Sequence, residues 1–324
     1  MSRVAKAAVG LMAATLVAKI LGFGRELALA SAYGASGVSD AFLVAMNIPA
    51  VIFTAIGTSL GTAFIPLYCE VNANKGEQSS NKFTNNVFNI VVIICIVISV
   101  IGAIFTPQIV KIFAVGFEGE TLRLAIYFTR VMILGLAFLG MSYIMMAYLQ
   151  VKENFIIPGF MSVPYNILII ISIIVSVKIS PYLLPWGTLI GLSLQFLFQL
   201  PFAIKKGYRY KLYIDVKDEH LKRMLWLIAP VLIGVAVNQI NTIVDRTIAS
   251  TLVEGSISAL NYATKLNQFV MGMFIVSISS VVYPMLSKLS SENNKEQFNK
   301  SIITSVNTVT LLVIPISIGA IILA

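Results

Sequence analysis

From Ile90 to Ile104 the chain runs through fifteen residues with no charge and with Ser99 as its only hydroxyl. Water cannot solvate such a segment, and in a bilayer about 20 predominantly apolar residues are enough to cross the hydrocarbon as a helix. Lipid offers no partner to a bare backbone amide, so spanning segments close their own hydrogen bonds as helices, or as strands of a sealed barrel. The apolar runs here are too long and too continuous for barrel strands, which alternate. Nine candidate helices follow: 7–31, 39–67, 86–113, 123–149, 155–178, 183–204, 223–252, 256–287 and 301–324. Composition agrees, with 58% hydrophobic and 11% charged residues, against roughly 25% charged in a soluble domain. The expected fold is an all-α polytopic membrane protein. The first span is longer than a signal-peptide core and carries Lys19 and Arg25, so it is read as a membrane helix.

Several function classes fall away early. Two cysteines, Cys69 and Cys95, make no disulfide framework or cysteine-rich zinc site, and His220 is the single histidine. The formal net charge of +9 is not read as a nucleic-acid surface, because the basic residues sit in short links between apolar runs. With the N-terminus placed in the cytoplasm, the inside segments collect fifteen of the 23 basic residues, among them Lys75, Lys82, Lys152 and most of Lys205 to Lys222, whereas Glu118 and Glu254 fall outside. The link Lys205 to Lys222 mixes Tyr208, Tyr210, Leu212, Tyr213 and Ile214 with basic residues. Two readings stand for it, a strap on an anionic leaflet and a solvated linker.

The chain also repeats itself. A shift of 218 residues aligns 39–104 with 257–322 without a gap and with twelve identities, including Ala41/Ala259, Pro66/Pro284, Asn81/Asn299 and Asn89/Asn307. Six spans separate the copies, an even number, so both point the same way. This is a parallel repeat, with its axis along the membrane normal and a site expected between the halves. The organisation expected is a six-helix lobe over 1–206, a basic and aromatic linker over 207–222, and the first three helices of a second lobe over 223–324. Because Ala324 corresponds to Thr106, the second copy is expected to be incomplete and the chain to be part of a longer transporter.

A charge at the centre of a membrane helix costs about 2.5 to 3.5 kcal/mol on insertion scales, so each one asks for a partner, a wet cavity or a function. Lys19 and Glu26 lie seven residues apart on one face of the first span, and Arg25 adjoins them in Leu21-Gly22-Phe23-Gly24-Arg25-Glu26. Asp40 opens the second span; it is read either as a partner for Arg25 or as a carboxylate favoured by its own helix dipole. Asn238, Asn241 and Asp245 recur at helical spacing in the seventh span, an oxygen-rich stripe suited to a monovalent cation or a proton relay, or alternatively to interhelical hydrogen bonds with Asp245 neutralised by an arginine. Lys265, within Tyr262-Ala263-Thr264-Lys265-Leu266, lies too deep to snorkel easily and points to a polar cavity, while Arg130 is close enough to an interface to do so. No Walker loop, nucleophile elbow or H-E-x-x-H occurs, so no catalytic residue and no metal site are expected. A transporter driven by a Na+ or H+ gradient or by the membrane potential, without a cofactor, fits better than an enzyme.

Three stretches carry a resemblance: Lys19-Ile20-Leu21-Gly22-Phe23-Gly24-Arg25-Glu26 with Tyr33-Gly34 and Ser39-Asp40-Ala41-Phe42; Ala63-Phe64-Ile65-Pro66; and Val237-Asn238 with Val244-Asp245-Arg246, Tyr262-Ala263-Thr264-Lys265-Leu266 and Tyr283-Pro284-Met285-Leu286-Ser287. The chain resembles the MurJ (MviN) lipid II flippases of the multidrug/oligosaccharidyl-lipid/polysaccharide exporter superfamily. The resemblance implies a multi-pass protein of the bacterial cytoplasmic membrane, acting in peptidoglycan and cell-wall biogenesis. It would move an undecaprenyl-pyrophosphate-linked precursor between leaflets by alternating access. Membrane lipids and the cell-wall synthesis machinery are the partners implied, and nucleic acid is not. It further implies that the positions of Lys19, Arg25, Asp40 and Lys265 line the central cavity, with Glu26 beside them. Many members carry an arginine shortly after the equivalent of Ile48-Pro49, whereas Ala50 to Gly57 here contains no basic residue. The competing readings are an exporter of another polyprenyl-linked saccharide, of O-antigen or teichoic type, and a non-transporting membrane scaffold. A multidrug antiporter fits less well, since cationic drugs favour acidic cavities.

Overall fold

The structure is a computed structural model that describes the backbone of residues 3–270, 282, 286 and 295–323. The elements, in chain order, are α1 (Arg3–Tyr33), α2 (Gly37–Ile104), α3 (Thr106–Phe113), α4 (Gly119–Met132), α5 (Leu136–Val151), α6 (Ile156–Phe160), α7 (Ser162–Lys178), α8 (Leu184–Lys205), α9 (Glu219–Ser250), α10 (Ser256–Val270) and α11 (Lys295–Leu323). Among the described residues no strand occurs, and the protein is a polytopic all-α membrane protein. Among the described residues six helices are long and apolar enough to cross a membrane, or seven if Glu219–Val231 and Ile233–Ser250, bent by 44°, form one crossing. The expected nine are not reached. The first expected span begins among side chains that are not described, and the eighth, with the motif at 283–287, falls largely outside the described residues.

The helix α2 is really two crossings. Gly76 sits at φ 78°, ψ 176°, a conformation that ends any helix and that side-chain-bearing residues avoid. Phe64 and Phe83 would be about 28 Å apart on a straight helix, yet their rings stack with centroids 5.7 Å apart. The chain therefore folds back at Gly76 into two antiparallel arms, and the expected link between the second and third spans is helical on both sides of the turn. The break in α9 has an equally local cause: Pro230 removes a backbone donor and its ring crowds the preceding turn, just before the bend.

Inter-helix contacts give the direction of each crossing. Arg25 meets Asn166 and Tyr33 meets Ser176, so residue numbers rise together and α1 runs parallel to α7. Tyr127 meets Trp186 and Ser142 meets Gln199, so the α4–α5 crossing runs parallel to α8. Around the Gly76 hairpin an aromatic core forms. Tyr68 packs edge-on against Tyr148 at 5.8 Å, and Tyr148 against Tyr208 at 5.4 Å.

The chain divides into two compact units, Met1–Asn261 and Tyr262–Ala324. The first contains α1 to α9 and the opening turns of α10. The second contains the rest of α10 and α11, where Pro315 lies inside the helix.

Candidate functional site: buried charges at the start of α10

Asp40 lies in the first turn of α2 and is 2% exposed. It does not pair with Arg25, and its carboxylate does not serve its own helix. One oxygen accepts from the Gly255 N–H at 2.7 Å, and the other from the Ser258 N–H at 2.7 Å and from the Ser258 hydroxyl. A carboxylate placed on the first free N–H groups of a helix satisfies donors that the helix itself cannot, and it meets the positive end of the helix dipole. Asp40 therefore caps α10 from another helix. Gly255, at φ 92°, permits this approach: a Cβ there would lie 2.5 Å from the Ala35 carbonyl oxygen. Asp40 and Ser258 are separated by 218 residues, the offset of the repeat. The two residues are equivalent positions under that expected shift. Thr121 adds a hydrogen bond to Glu254 at 3.1 Å, so the α3–α4 loop region joins the same end of the molecule.

Deeper along α1, Arg25 bonds to Glu26 at 2.7 Å and to the Asn166 side-chain oxygen at 3.2 Å, with the Tyr165 ring 6.0 Å from its guanidinium carbon. These neighbours explain why Arg25 turns away from Asp40: its adjacent carboxylate is nearer, and Asn166 on the parallel α7 takes the second nitrogen. The other Glu26 oxygen accepts from Asn261 of α10 at 2.9 Å. Glu26 is 5% exposed, Asn166 4% and Asn261 7%.

A second guanidinium belongs to this cluster. Arg246 of α9 lies close enough to Glu26 to feel its charge and faces Asn47 of α2. The Asn47 amide is taken in the orientation that presents its oxygen to the Arg246 Nε and Nη2, as the hydrogen bonding demands. The Arg246 Nη1 is buried without a hydrogen-bond partner among the described residues. The sequence places Arg246 in the Val244-Asp245-Arg246 motif without giving it a site role. The available signal was Asn47, an amide inside an apolar span.

The remaining expected site residues have other surroundings. Lys19 is exposed on α1. Asn238, Asn241 and Asp245 are exposed along α9, and no ion pair of Asp245 occurs among the described residues, since Arg246 turns to Asn47 instead. Lys265, in the second unit, donates to Gln268 at 3.4 Å. No group of three or more His, Cys, Asp or Glu side chains that could hold a metal ion occurs among the described residues.

The comparisons with known proteins come down on one family. The profile described as "Lipid II flippase MurJ" matches residues 29–324. A relative from Buchnera aphidicola subsp. Baizongia pistaciae, named "Probable lipid II flippase MurJ", is 29% identical over 316 residues, covering 96% of this chain and 62% of its own length. A solved structure titled "Lipid II flippase MurJ, inward closed conformation" superposes with a TM-score of 0.79 at 30% identity, over 97% of this chain and 65% of that one. An inward-facing multidrug transporter of the MATE family, of the MOP superfamily, has the same fold at a TM-score of 0.67 and 14% identity, over 94% of this chain and 71% of that one. The chain thus spans less than two thirds of the length of the curated relative it matches. The chain belongs to the lipid II flippase MurJ family.

Proposed function

We propose that this chain carries out, or is the part of a protein that carries out, the flipping of lipid II, a polyprenyl-pyrophosphate-linked saccharide, by alternating access in the bacterial cytoplasmic membrane. One observation carries the reading: inside a membrane protein Arg25 pairs with the Glu26 carboxylate whereas Arg246 faces the neutral amide of Asn47, and the charge of Asp40 is committed to the start of α10. The cluster keeps a positive surplus. A pyrophosphate leaving water needs fixed cationic donors to replace its hydration, and a guanidinium offers them in a fork that matches phosphate oxygens. Arg246 against Asn47 also brings a cation to α2 just ahead of Ala50 to Gly57, where the family resemblance expects one and the sequence has none.

Within this reading 1–206 is one lobe, 223–324 supplies helices of the second, and 207–222 joins them. Lys19 and Lys265 are assigned to the substrate path on the resemblance. The end bearing Lys205 to Lys222 is cytoplasmic, with the N-terminus on the same side, on the distribution of basic residues. Asp245, with Asn238 and Asn241, is the place for a coupling Na+ or H+. The activity is transport, not catalysis, and the cell-wall synthesis machinery is the expected protein partner.

The test is saturable lipid II binding by the chain in nanodiscs. A charge-assisted hydrogen bond contributes about 1.5 to 3 kcal/mol. Arg25→Ala should therefore weaken binding roughly tenfold to a hundredfold. If Arg25 only neutralises Glu26, the double variant Arg25→Ala/Glu26→Gln would bind as the natural chain does, and that result would sink the assignment. Asp40 needs no place in that test, because it is not a partner of Arg25.

A further inference from the structure

Between α8 and α9 the chain is neither helix nor loose loop. Residues 207–215 run along the second arm of α2 as a strap, held by asparagines. Asn81 donates to the Gly207 carbonyl at 3.1 Å, Asn85 to Arg209 at 2.8 Å, Asn89 to Lys211 at 3.2 Å and to Tyr213 at 3.1 Å, and Asn86 to Asp215 at 2.8 Å. Alternate carbonyls face α2, the signature of an extended chain with a period of two. Tyr208 and Tyr210 return hydroxyl hydrogen bonds to Asn85 and Asn89, each at 3.0 Å.

This clamp leaves an outer face that soluble proteins avoid. Tyr210, Leu212, Ile214 and Val216 are 56%, 78%, 47% and 66% exposed. Basic residues flank them: Lys205 and Lys206 before, Arg209 and Lys211 among them, Lys217 after. Between the strap and the second arm of α2 lies a cavity of about 840 Å3 whose lining includes Lys82, Arg209, Lys211, Leu212 and Tyr213 together with Glu77. The Glu77 carboxylate is engaged by Lys152 at 2.5 Å, and Lys82 stands 4.4 Å from the centre of the Tyr213 ring. The cavity is therefore cationic, with one apolar side chain at its mouth. Its position is fixed by the chain on either side, because the crossing Pro181–Lys205 ends where the strap begins.

We infer that the strap and the second arm of α2 form a binding site for an anionic phospholipid of the adjoining leaflet, the phosphate seated among Lys82, Arg209 and Lys211 and the acyl chains against Leu212, Ile214 and Val216. Charge selects the occupant. A neutral headgroup brings no net charge to a pocket where cations outnumber carboxylates, whereas an acidic one pairs with the surplus beside apolar groups that acyl chains can cover. The alternation of basic and apolar residues is what interfacial anchors use. The site does not depend on lipid II transport.

Two measurements test it on the full chain in nanodiscs free of any polyprenyl lipid. In the first, Leu212→Trp in a Trp186→Phe/Trp226→Phe background reports depth by quenching from brominated acyl chains. Quenching should be strong in equimolar phosphatidylglycerol and phosphatidylcholine and several-fold weaker in phosphatidylcholine alone. In the second, the chain with its natural tryptophans is tested for preference between fluorescent phosphatidylglycerol and phosphatidylcholine. Each basic residue near an anionic surface contributes about fivefold, so Lys82→Gln/Arg209→Gln/Lys211→Gln should erase a preference of that order or larger. Equal quenching in both lipids, no quenching in either, or a preference that survives the triple variant would each overturn the site. The substituted side chains are exposed or half-exposed, and the second measurement decides alone should the tryptophan background not fold.

Discussion

Two polar networks sit at opposite ends of the first arm of α2, with roughly 50 Å of helix between Asp40 and Gly76, and they are built from different chemistry. At the Asp40 end, one carboxylate accepts three hydrogen bonds from Gly255 and Ser258 at the start of α10, and Ser258 stands at the repeat offset from it. At the Gly76 end, four neutral amides spread their bonds over nine residues of strap, and aromatic rings fill the space behind. The first network is concentrated and charged, so it makes or breaks as a unit. The second is distributed and neutral, so no single loss opens it. The contrast is between a concentrated, charged seam at Asp40 and a distributed, neutral clamp of asparagines.

The sharpest way to break the comparison is Asp40→Ala. It removes all three bonds and leaves the Gly255 and Ser258 donors buried, at about 1 to 3 kcal/mol for each donor left unsatisfied. A total loss of about 3 kcal/mol or more is expected, read as faster amide exchange at 255–261 and a lower unfolding midpoint. Asp40→Asn should fall between the natural chain and Asp40→Ala, because an amide oxygen accepts but carries no charge for the helix dipole. Exchange at 255–261 unchanged in Asp40→Ala would remove the seam from the account.

Much of this was legible before any coordinates. Continuous apolar runs of about 20 residues make a lipid-bound chain helical, so the helical class followed from the sequence alone. The 218-residue register even reappears as a hydrogen bond between Asp40 and Ser258. Partners were less legible. Asp40 reads in the sequence either as a partner for Arg25 or as a carboxylate on its own helix dipole, because only local neighbours are visible there. Docking of α10 decided otherwise, and nothing local records a contact made across more than 200 residues. Asn81 and Asn89 were visible only as identities between repeat copies, since an amide in an apolar helix does not announce whether it meets a helix, a strap or water. Arg246 and Asn47 went unpaired for the same reason.

A smaller effect is expected at the clamp, and its size sharpens the contrast. Asn85→Ala removes one amide bond to the strap and Asn89→Ala removes two, and each also removes the acceptor for one tyrosine hydroxyl. A net hydrogen bond contributes about 0.5 to 1.5 kcal/mol. Each single variant should therefore raise proteolytic nicking at 207–217 by about twofold to tenfold for each bond lost, with the transmembrane core intact. The double variant should exceed either single one without releasing the strap, because Asn81 and Asn86 remain. Complete release by one substitution would make the clamp as concentrated as the seam and would erase the distinction drawn between them.

The smallest effect concerns acid. Asp215 closes the strap: its carboxylate accepts from the Lys217 N–H at 2.9 Å and from the Tyr213 hydroxyl at 3.0 Å, and its own N–H donates to Asn86 at 2.7 Å. The Lys217 amide first, then the Tyr213 hydroxyl, hold this carboxyl below the ordinary aspartate range. A group whose folded pKa is depressed adds stability that is present above the unfolded pKa and is lost as pH falls through the folded one. The unfolded value lies near 3.9, so strap protection should stay level from neutral pH down to about 5 and decline only below about 4. Asp215→Asn should flatten that acid decline while leaving the asparagine bonds in place. Because Asp215 lies at the surface, the decline should be shallow and local to 213–217. A steep loss reaching the Asn81 end of the strap would show that the clamp opens as one piece after all.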